Sequence, residues 1–344
     1  STQSRSSAAS DVYKRQPFLW TGLYQIMFMD NVTDYAAVNE TVEAVKQEGC
    51  IKNVAFVNAV LRSALRKKKD LIENSKKLPI GIRLSHPDIL INKWKKQFGN
   101  SKTEKLCNWN NSVPAIFIHP NLNLISMDEF KKKLQNHGIN TIPHPVYPSL
   151  FLELPHGVKI RELPGYKEGL FSVHDPSTIL AVKMLNPVPG ETVLDACASP
   201  GGKTILIAEK MHNNGKLFAM DVDKERLKIL RENIKRMKLQ NVNVICGDAC
   251  RANNTFQGLL FDKILADVPC SNTGVIRRKP DVKWHFSQKS MNTLIKLQIT
   301  LLNGLISLVK PGGYMVYSTC SICLLYTSDA ADDLLCVDLG GRRI

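Results

Sequence analysis

The sequence predicts an α/β domain built on a parallel sheet, preceded by an all-helical domain and a small α+β segment. Three observations carry this. Strand-like runs and helical segments alternate regularly after Asp175-Pro176. Apolar residues recur at helical spacing before residue 110. Between the two lies a stretch rich in proline and β-formers. Regular alternation implies parallel strands with both faces covered by helices.

Residues 1–16 and 323–344 resemble translated adapter sequence and are set aside as non-native tails. From 17 to 110, Tyr35, Val38, Val42 and Val45 recur at helical spacing, as do Val54, Val57, Leu61 and Leu65. The second series closes on the basic run Arg66-Lys67-Lys68-Lys69. His86-Pro87-Asp88 opens another helix, with Pro87 suited to the first helical position. From 111 to 174, strands are expected at 115–119 and 150–154. The helix between them, 126–137, is capped by Ser126 with Glu129 as its capping-box partner. From 175 to 322, strands are expected at 192–195, 217–221, 242–246, 263–267 and 314–318, with helices at 224–237 and within 290–309. Ligands of such a sheet bind at the carboxyl ends of its strands.

A chain of 344 residues is long enough for two or three domains with proper cores. Its 44% apolar and 22% charged residues are those of an ordinary globular protein, but its net charge of +15 is not. That excess favours a polyanionic partner, nucleic acid first and an anionic membrane surface second. The tails do not supply it: 1–16 carries +3 and −1, and 323–344 carries +2 and −4. Nine cysteines lack the paired spacings of a disulfide framework or zinc site, although Cys320 and Cys323 form a lone C-x-x-C. No apolar run is long enough to span a bilayer, and no signal-peptide core is present. A cytoplasmic protein with reduced thiols, no metal and no membrane association is expected, as a monomer.

The chemistry begins at DACASPGGKT, Asp195 to Thr204, where a strand runs through a small-residue turn into a helix. A phosphate loop of the G-x-x-x-x-G-K-[ST] type fails, because its first glycine would fall on Cys197. The dinucleotide fingerprint G-x-G-x-x-G cannot be fitted either. S-Adenosylmethionine remains; it has no phosphate and needs only a small-residue turn beside its methionine part. Asp221 ends the next strand, where a carboxylate can accept from ribose hydroxyls, and Asp248 ends the third, within reach of an adenine edge. The competing use of any one strand-end aspartate is a helix N-cap.

Two cysteines lie just beyond strand ends, Cys270 in Asp267-Val268-Pro269-Cys270 and Cys320 in Ser318-Thr319-Cys320. Free cysteine is commonly a small buried hydrophobe. A methyl donor, however, gives thiols a specific use at carbon 5 of a pyrimidine. That carbon is a poor nucleophile until a thiolate adds to carbon 6, and either cysteine could perform the addition. An acidic group near ring nitrogen 3 would stabilise the developing charge, and Asp267 is suitably placed. The loop 271–284 then presents four cations before Trp284, which suits phosphate contacts and base stacking.

DACASPGGKT, DVPCS with TGVIRRKPDVKW after it, and YSTCS resemble the Sun-type RNA cytosine-5 methyltransferases, and within them the bacterial 16S ribosomal RNA branch. DYAAVNETVEAVKQEG and NVAFVNAVLRSALR are similar to that branch's NusB-like RNA-binding helices, and LPGYKEGLFSVHDPS to its entry into the catalytic domain. The resemblance covers nearly all of 17–322. It implies a Rossmann-like methyltransferase sheet at 175–322, incomplete at its C-terminal end, after a partial NusB-like domain at 17–110 and an α+β linker domain at 111–174. It implies that Cys197, Ala198, Ser199, Pro200, Gly201, Gly202 and Lys203 wrap S-adenosylmethionine, with Asp221, Asp248 and Asp267 lining the same site. It also ranks the thiols: Cys320 as nucleophile, Cys270 as the thiol assisting release. The implied partner is small-subunit ribosomal RNA; a tRNA target, a protein side chain, or RNA binding without catalysis are the alternatives. The chain departs from the family at both ends, and at His119-Pro120-Asn121, where an arginine-containing stretch is usual.

Overall fold

A computed structural model describes residues 2–322, with side chains described from Tyr13 onward; the non-native C-terminal tail expected at 323–344 lies outside the described residues. The chain divides into two compact units, at 86/87.

The first unit is helical: α1 (Thr2–Phe28), α2 (Asp34–Gln47), α3 (Ile51–Arg66), α4 (Lys68–Ser75) and the single turn α5 (Ile80–Arg83). Its core gathers Ile26, Ala37, Val38, Val45, Val57 and Leu61. The helical spacing read in the sequence is the buried stripe of α2 and α3, with one difference: Tyr35 is 75% exposed. Tyr35 stands in the first turn of α2, and Ala37, Val38 and Thr41 take the inward face instead. α1 and α3 approach so closely at Gly22 that a β-carbon there would lie 2.8 Å from Leu61 Cδ1. The expected N-terminal tail runs into α1, and the Arg15 guanidinium lies 4.2 Å from the centre of the Phe56 ring.

The second unit opens with α6 (Asp88–Asn111), so this helix groups with the sheets C-terminal to it and not with the helices before it, as the expected boundary at 110 had it. The reason is visible at its C-terminal end. The Arg277 guanidinium stacks 4.0 Å from the Trp109 ring and donates to the carbonyls of Ser112 and Val113. Pro87 is the N-cap of α6 rather than its first helical residue; its ψ of 142° is extended. Next come β1 (Ile116–Pro120), α7 (Met127–Gln135), β2 (Ile142–Pro143), β3 (Leu152–Leu154) and β4 (Phe171–His174). These strands form an antiparallel sheet in the order β2-β3-β1-β4. The capping box at α7 is present as the sequence specifies: Ser126 Oγ accepts from the Glu129 N–H, and the Glu129 carboxylate accepts from the Ser126 N–H.

The remainder alternates as expected: α8 (Thr178–Leu185), β5 (Thr192–Asp195), α9 (Gly202–Lys210), β6 (Lys216–Asp221), α10 (Lys224–Arg236), β7 (Val242–Cys246), α11 (Ala252–Phe256), β8 (Phe261–Asp267), α12 (Val282–His285), α13 (Gln288–Ile306) and β9 (Val309–Ser318). The strands pair in parallel in the order β7-β6-β5-β8-β9. Strand residues alternate between two cores. Val193, Leu217 and Leu265 pack with Ile179 of α8 and Ile205 of α9, while Leu194, Ile264 and Ala266 pack with Leu301 and Leu305 of α13. Both faces are therefore covered, which is what keeps strands this apolar away from water. The order reverses between β5 and β8, and the crevice beyond their carboxyl ends is where such sheets bind ligands.

The antiparallel sheet is fastened to this domain by polar groups. His119 is buried, with Nδ1 on the Leu150 carbonyl and Nε2 on Glu209 Oε2 of α9, each at 2.8 Å. Asn123 donates to the Glu209 carbonyl at 2.9 Å. Position 119, where the resembling family carries an arginine nearby, is thus an internal anchor here. Arg236 of α10 makes a second fastening, donating to the carbonyls of Tyr166 and Phe171 while stacking on the Tyr166 ring. Among the described residues no helix is long and apolar enough to cross a membrane.

Candidate active site

The cofactor turn, the strand-end aspartates and the two thiols all lie beyond strand ends of the parallel sheet, and the sheet order brings them together. After β5 the backbone of Ala196 donates to the Leu265 carbonyl and that of Ala198 to Met220, so the turn is held by both neighbouring strands. Arg226 of α10 donates to the Ser199 carbonyl at 2.6 Å. Gly201, at φ 106°, caps α9; a β-carbon there would be strained and would run into Leu230 Cδ1. The turn is thereby held in place before any ligand arrives. The Ser199-Pro200 bond within it is cis.

The acidic residues divide. Asp221 is buried, with Oδ2 accepting the Ser199 N–H and Oδ1 the Asp223 N–H, each at 2.9 Å. It ties β6 to the turn, and each oxygen keeps a further acceptor position for a ribose hydroxyl. Asp248 is exposed and accepts the Cys250 N–H at 2.9 Å, so it is also a helix cap. Asp195 is fully buried. Its Oδ2 accepts from Thr204 Oγ1 at 2.7 Å, and Oδ1 has no partner among the described residues. Burial pushes this carboxyl up to about 7.

A carboxyl whose pKa is raised by folding holds its proton more tightly folded than unfolded. Its contribution is present below the ordinary 3.8 and is lost as pH rises towards about 7, above which a buried charge remains. Asp195→Asn keeps the acceptor for Thr204 and removes that charge. It is expected to stabilise the chain at pH 8 by on the order of 4 kcal/mol and to have little effect at pH 4. Thermal unfolding at the two pH values checks this; an equal effect at both would contradict it.

Lys203, expected at the cofactor, reaches the other side of the crevice. Its Nζ lies 2.5 Å from Asp267 Oδ2, while Asp267 Oδ1 accepts from Ser318 Oγ at 2.6 Å. A cavity beside this pair is lined by Asp195, Cys197, Ser199, Gly202, Lys203 and Asp267, and also by His174 and Asp175. Burial pushes His174 down to about 3, with the neighbouring His119 and Lys203 adding to the shift, so it is a neutral imidazole there. Asp175 bridges to Arg278 of the basic loop at 2.9 Å. Hydrogen bonds from Ser177 and the Arg278 charge outweigh burial and lower its carboxyl.

Cys270 and Cys320, fifty residues apart, meet. Their sulfurs are 3.2 Å apart, and Cys320 Sγ donates to Asn272 Oδ1 at 2.9 Å. β8 and β9 pair in register from Lys263↔Tyr314 to Asp267↔Ser318, which brings both strands to an end side by side. Beyond them the Gly274 N–H donates to the Cys320 carbonyl at 2.8 Å, and the Ser271 and Ser321 hydroxyls meet at 2.6 Å. The contact with Cys320 lowers Cys270 to about 7; the same contact, with burial and the Asp267 charge, raises Cys320. The pair therefore gives up one proton readily and resists losing the second. Cys197, by contrast, is held well above the usual thiol range by burial and the surrounding carboxylates. Among the described residues no three His, Cys, Asp or Glu side chains are grouped to hold a metal ion.

Sequence reasoning placed the strand ends but missed several side chains that complete them. His174 and Asp175 belong to a different sheet, and no local pattern ties them to Lys203. Asn272 could have been suspected, since at φ 55° it is a left-handed turn residue directly after the thiol. Thr204 closes the DACASPGGKT turn but was given no role, and Arg226 lies on α10 and carried no motif of its own.

A parallel sheet of this order, with a small-residue turn after its first strand and functional groups crowded at the β5/β8 crevice, defines a Rossmann-like methyltransferase domain, here carried with helical and α+β domains. Comparison with known proteins makes the class particular: the chain belongs to the 16S rRNA methyltransferase RsmB/F family. That family's description matches residues 182–336, the NusB family matches 10–66, and the ferredoxin-like domain of RsmF/B-like methyltransferases matches 86–160. The chain is 39% identical over 302 residues to ribosomal RNA small subunit methyltransferase B of Vibrio cholerae, covering 88% of this chain and 68% of that one. To the probable ribosomal RNA small subunit methyltransferase B of Bacillus subtilis it is 35% identical over 303 residues, covering 87% and 67%. The crystal structure of a methyltransferase homolog protein from Pyrococcus horikoshii superposes with a TM-score of 0.62 at 28% identity, over 71% of this chain and 76% of that one. The family named by resemblance, and the three-part fold it implied, are thus the ones the chain has.

Proposed function

We propose that this RNA methyltransferase transfers a methyl group from S-adenosylmethionine to carbon 5 of a cytidine in 16S ribosomal RNA, through a covalent adduct with Cys320. The observation that carries the reading is the meeting of two thiols at 3.2 Å beside the Lys203–Asp267 pair, at the crevice of a methyltransferase sheet. A protein thiol is dispensable for methylating a lone pair, and two of them suit a ring carbon that must be activated and then released.

The residues present fit the cofactor. The turn 197–203 is glycine-bearing and held by its neighbours, Ser199 Oγ and Asp195 Oδ1 are buried without partners among the described residues, and Asp221 and Asp248 stand at successive strand ends. When bound, S-adenosylmethionine supplies a methyl carbon on a sulfonium, open to attack by carbon 5.

The chain's own groups would act in sequence. Cys320, as thiolate, forms a bond to carbon 6, and the electron pair of the 5,6 double bond moves toward carbon 5 and the ring. Asp267, oriented by Lys203 and Ser318, would act as a carboxylic acid, passing its proton to ring nitrogen 3 as negative charge develops there and taking it back when Cys320 leaves. After methylation Cys270 takes the carbon-5 proton; that electron pair restores the double bond, and Cys320 leaves with the carbon–sulfur pair. One readily lost proton in the thiol pair matches a scheme that needs one thiolate at a time. The basic loop with Arg277, Arg278 and Lys279, and the net charge of +15, supply contacts for the phosphate backbone. The protein would act in the cytoplasm as a monomer.

Bisulfite mapping of ribosomal RNA and tRNA incubated with the protein and S-adenosylmethionine tests the reading. Modification at one cytidine of 16S rRNA is expected; modification confined to tRNA favours the tRNA alternative, and binding without any modification favours a non-catalytic RNA-binding role. Because Cys270 must be a thiolate to take the carbon-5 proton, the rate of turnover is expected to rise with pH through about 7 and then level off. A rate that is flat across that range would contradict proton removal by Cys270.

A further inference from the structure

The arrangement that serves covalent catalysis has a second chemical capability. We propose that Cys270 and Cys320 are a redox modification site, closing to a reversible disulfide when the protein meets a hydroperoxide.

The geometry favours this closure. Neighbouring strands hold their backbones about 4.8 Å apart, and disulfides form between α-carbons about 4.4–6.8 Å apart. Cys270 and Cys320 follow the paired positions Asp267 and Ser318 by three and two residues, just beyond the ends of neighbouring strands. The sulfurs, at 3.2 Å, need to approach by only about 1 Å to reach bonding distance. Two fastenings keep the segments together while they do so: Gly274 N–H on the Cys320 carbonyl, and the Ser271–Ser321 hydroxyl pair. A cavity of about 500 Å³ opens onto Cys270, lined by Asn272, Arg278, Lys279 and His285, so a small polar oxidant has access. The readily formed thiolate of the pair supplies the nucleophile.

The steps balance. The thiolate attacks one peroxide oxygen, the O–O bond breaks, and the other oxygen leaves as water or an alcohol after taking a proton. The resulting sulfenic acid is attacked by the second thiol: the S–S bond forms, the S–O bond breaks, and the hydroxide leaves as water with the thiol's proton. One hydroperoxide is reduced by two electrons, and two thiols are oxidised to one disulfide. An external dithiol reverses it by exchange. Closed, the pair has no free nucleophile. That loss of methyl transfer rests on the proposed function; the disulfide itself does not.

The test uses the full chain treated with stoichiometric hydrogen peroxide, alkylated, digested without reductant and mapped by mass spectrometry. The expected product is a cross-link between the peptides carrying Cys270 and Cys320, lighter by two hydrogens and abolished by dithiothreitol. In Cys320→Ser no such link forms, and Cys270, whose thiolate forms readily, is instead captured by dimedone as a sulfenic acid. Methyl transfer is expected to fall with the extent of cross-linking and to return on reduction. If the chain transfers no methyl group at all, the cross-link still decides the proposal. Both thiols remaining alkylatable while Cys246 or Cys250 oxidises would overturn it. So would a link from Cys320 to Cys323, or over-oxidation of one thiol with its neighbour intact.

Discussion

Replacing Cys320 with alanine is expected to reduce methyl transfer to 16S rRNA by on the order of 10³-fold or more, while Cys270→Ala is expected to accumulate a protein–RNA adduct. The two thiols touch at 3.2 Å, yet the changes should read differently because they fall on opposite sides of one covalent intermediate. Without the Cys320 sulfur nothing adds to carbon 6 and no adduct appears. Without Cys270 the adduct forms and is methylated, but the carbon-5 proton is not removed and Cys320 cannot leave. Both mutants should fold, since cysteine to alanine removes a single heavy atom beyond the strand ends. A denaturing gel on labelled RNA shows the trapped species as a slow band. An adduct trapped by Cys320→Ala and absent from Cys270→Ala would reverse the assignment of roles. That inversion has a physical basis worth testing, because Cys270 is the thiol whose pKa is lowered, to about 7.

Asp267→Asn is the second large effect, expected to slow single-turnover transfer by on the order of 10²–10³-fold. Asparagine can still accept from Ser318, so β8 and β9 stay registered, but the charge facing Lys203 is gone. The backbone bonds that hold the cofactor turn and the contact between the thiols do not involve that charge. The loss should therefore appear in the chemical step, with RNA binding unchanged. A mutant within threefold of the parent would remove Asp267 from the mechanism and leave it as a partner that merely holds Lys203 in place.

Much of the methyltransferase domain was legible because its signals are local. Thr192–Asp195 and Val242–Cys246 are the strands read from their apolar runs, and the α7 capping box follows from Ser126 and Glu129 three residues apart. The helical stripe Val38, Val42, Val45 was legible for the same reason, whereas Tyr35 shares the spacing but lies outside the buried face. Periodicity reports which residues can share a face, not where the face ends. The boundary expected at 110 failed in another way: helix composition does not reveal that Arg277, more than 160 residues later, fastens the end of α6. His119 shows the same limit, since only the folded chain brings Glu209 of α9 to it.

The sequence by itself determined that a glycine-bearing turn, three acidic residues and two thiols each stand at the carboxyl end of a strand, because strand length and turn chemistry are settled within a few residues. It also determined the family, through the wording of those turns. The tertiary structure alone decided which of these groups meet. Parallel pairing of β8 with β9 sets the two sulfurs in contact, and pairing of β5 with β8 puts Lys203 on Asp267. Such meetings depend on strand order and register across fifty residues or more, and these are fixed by the burial of two whole cores rather than by any short segment.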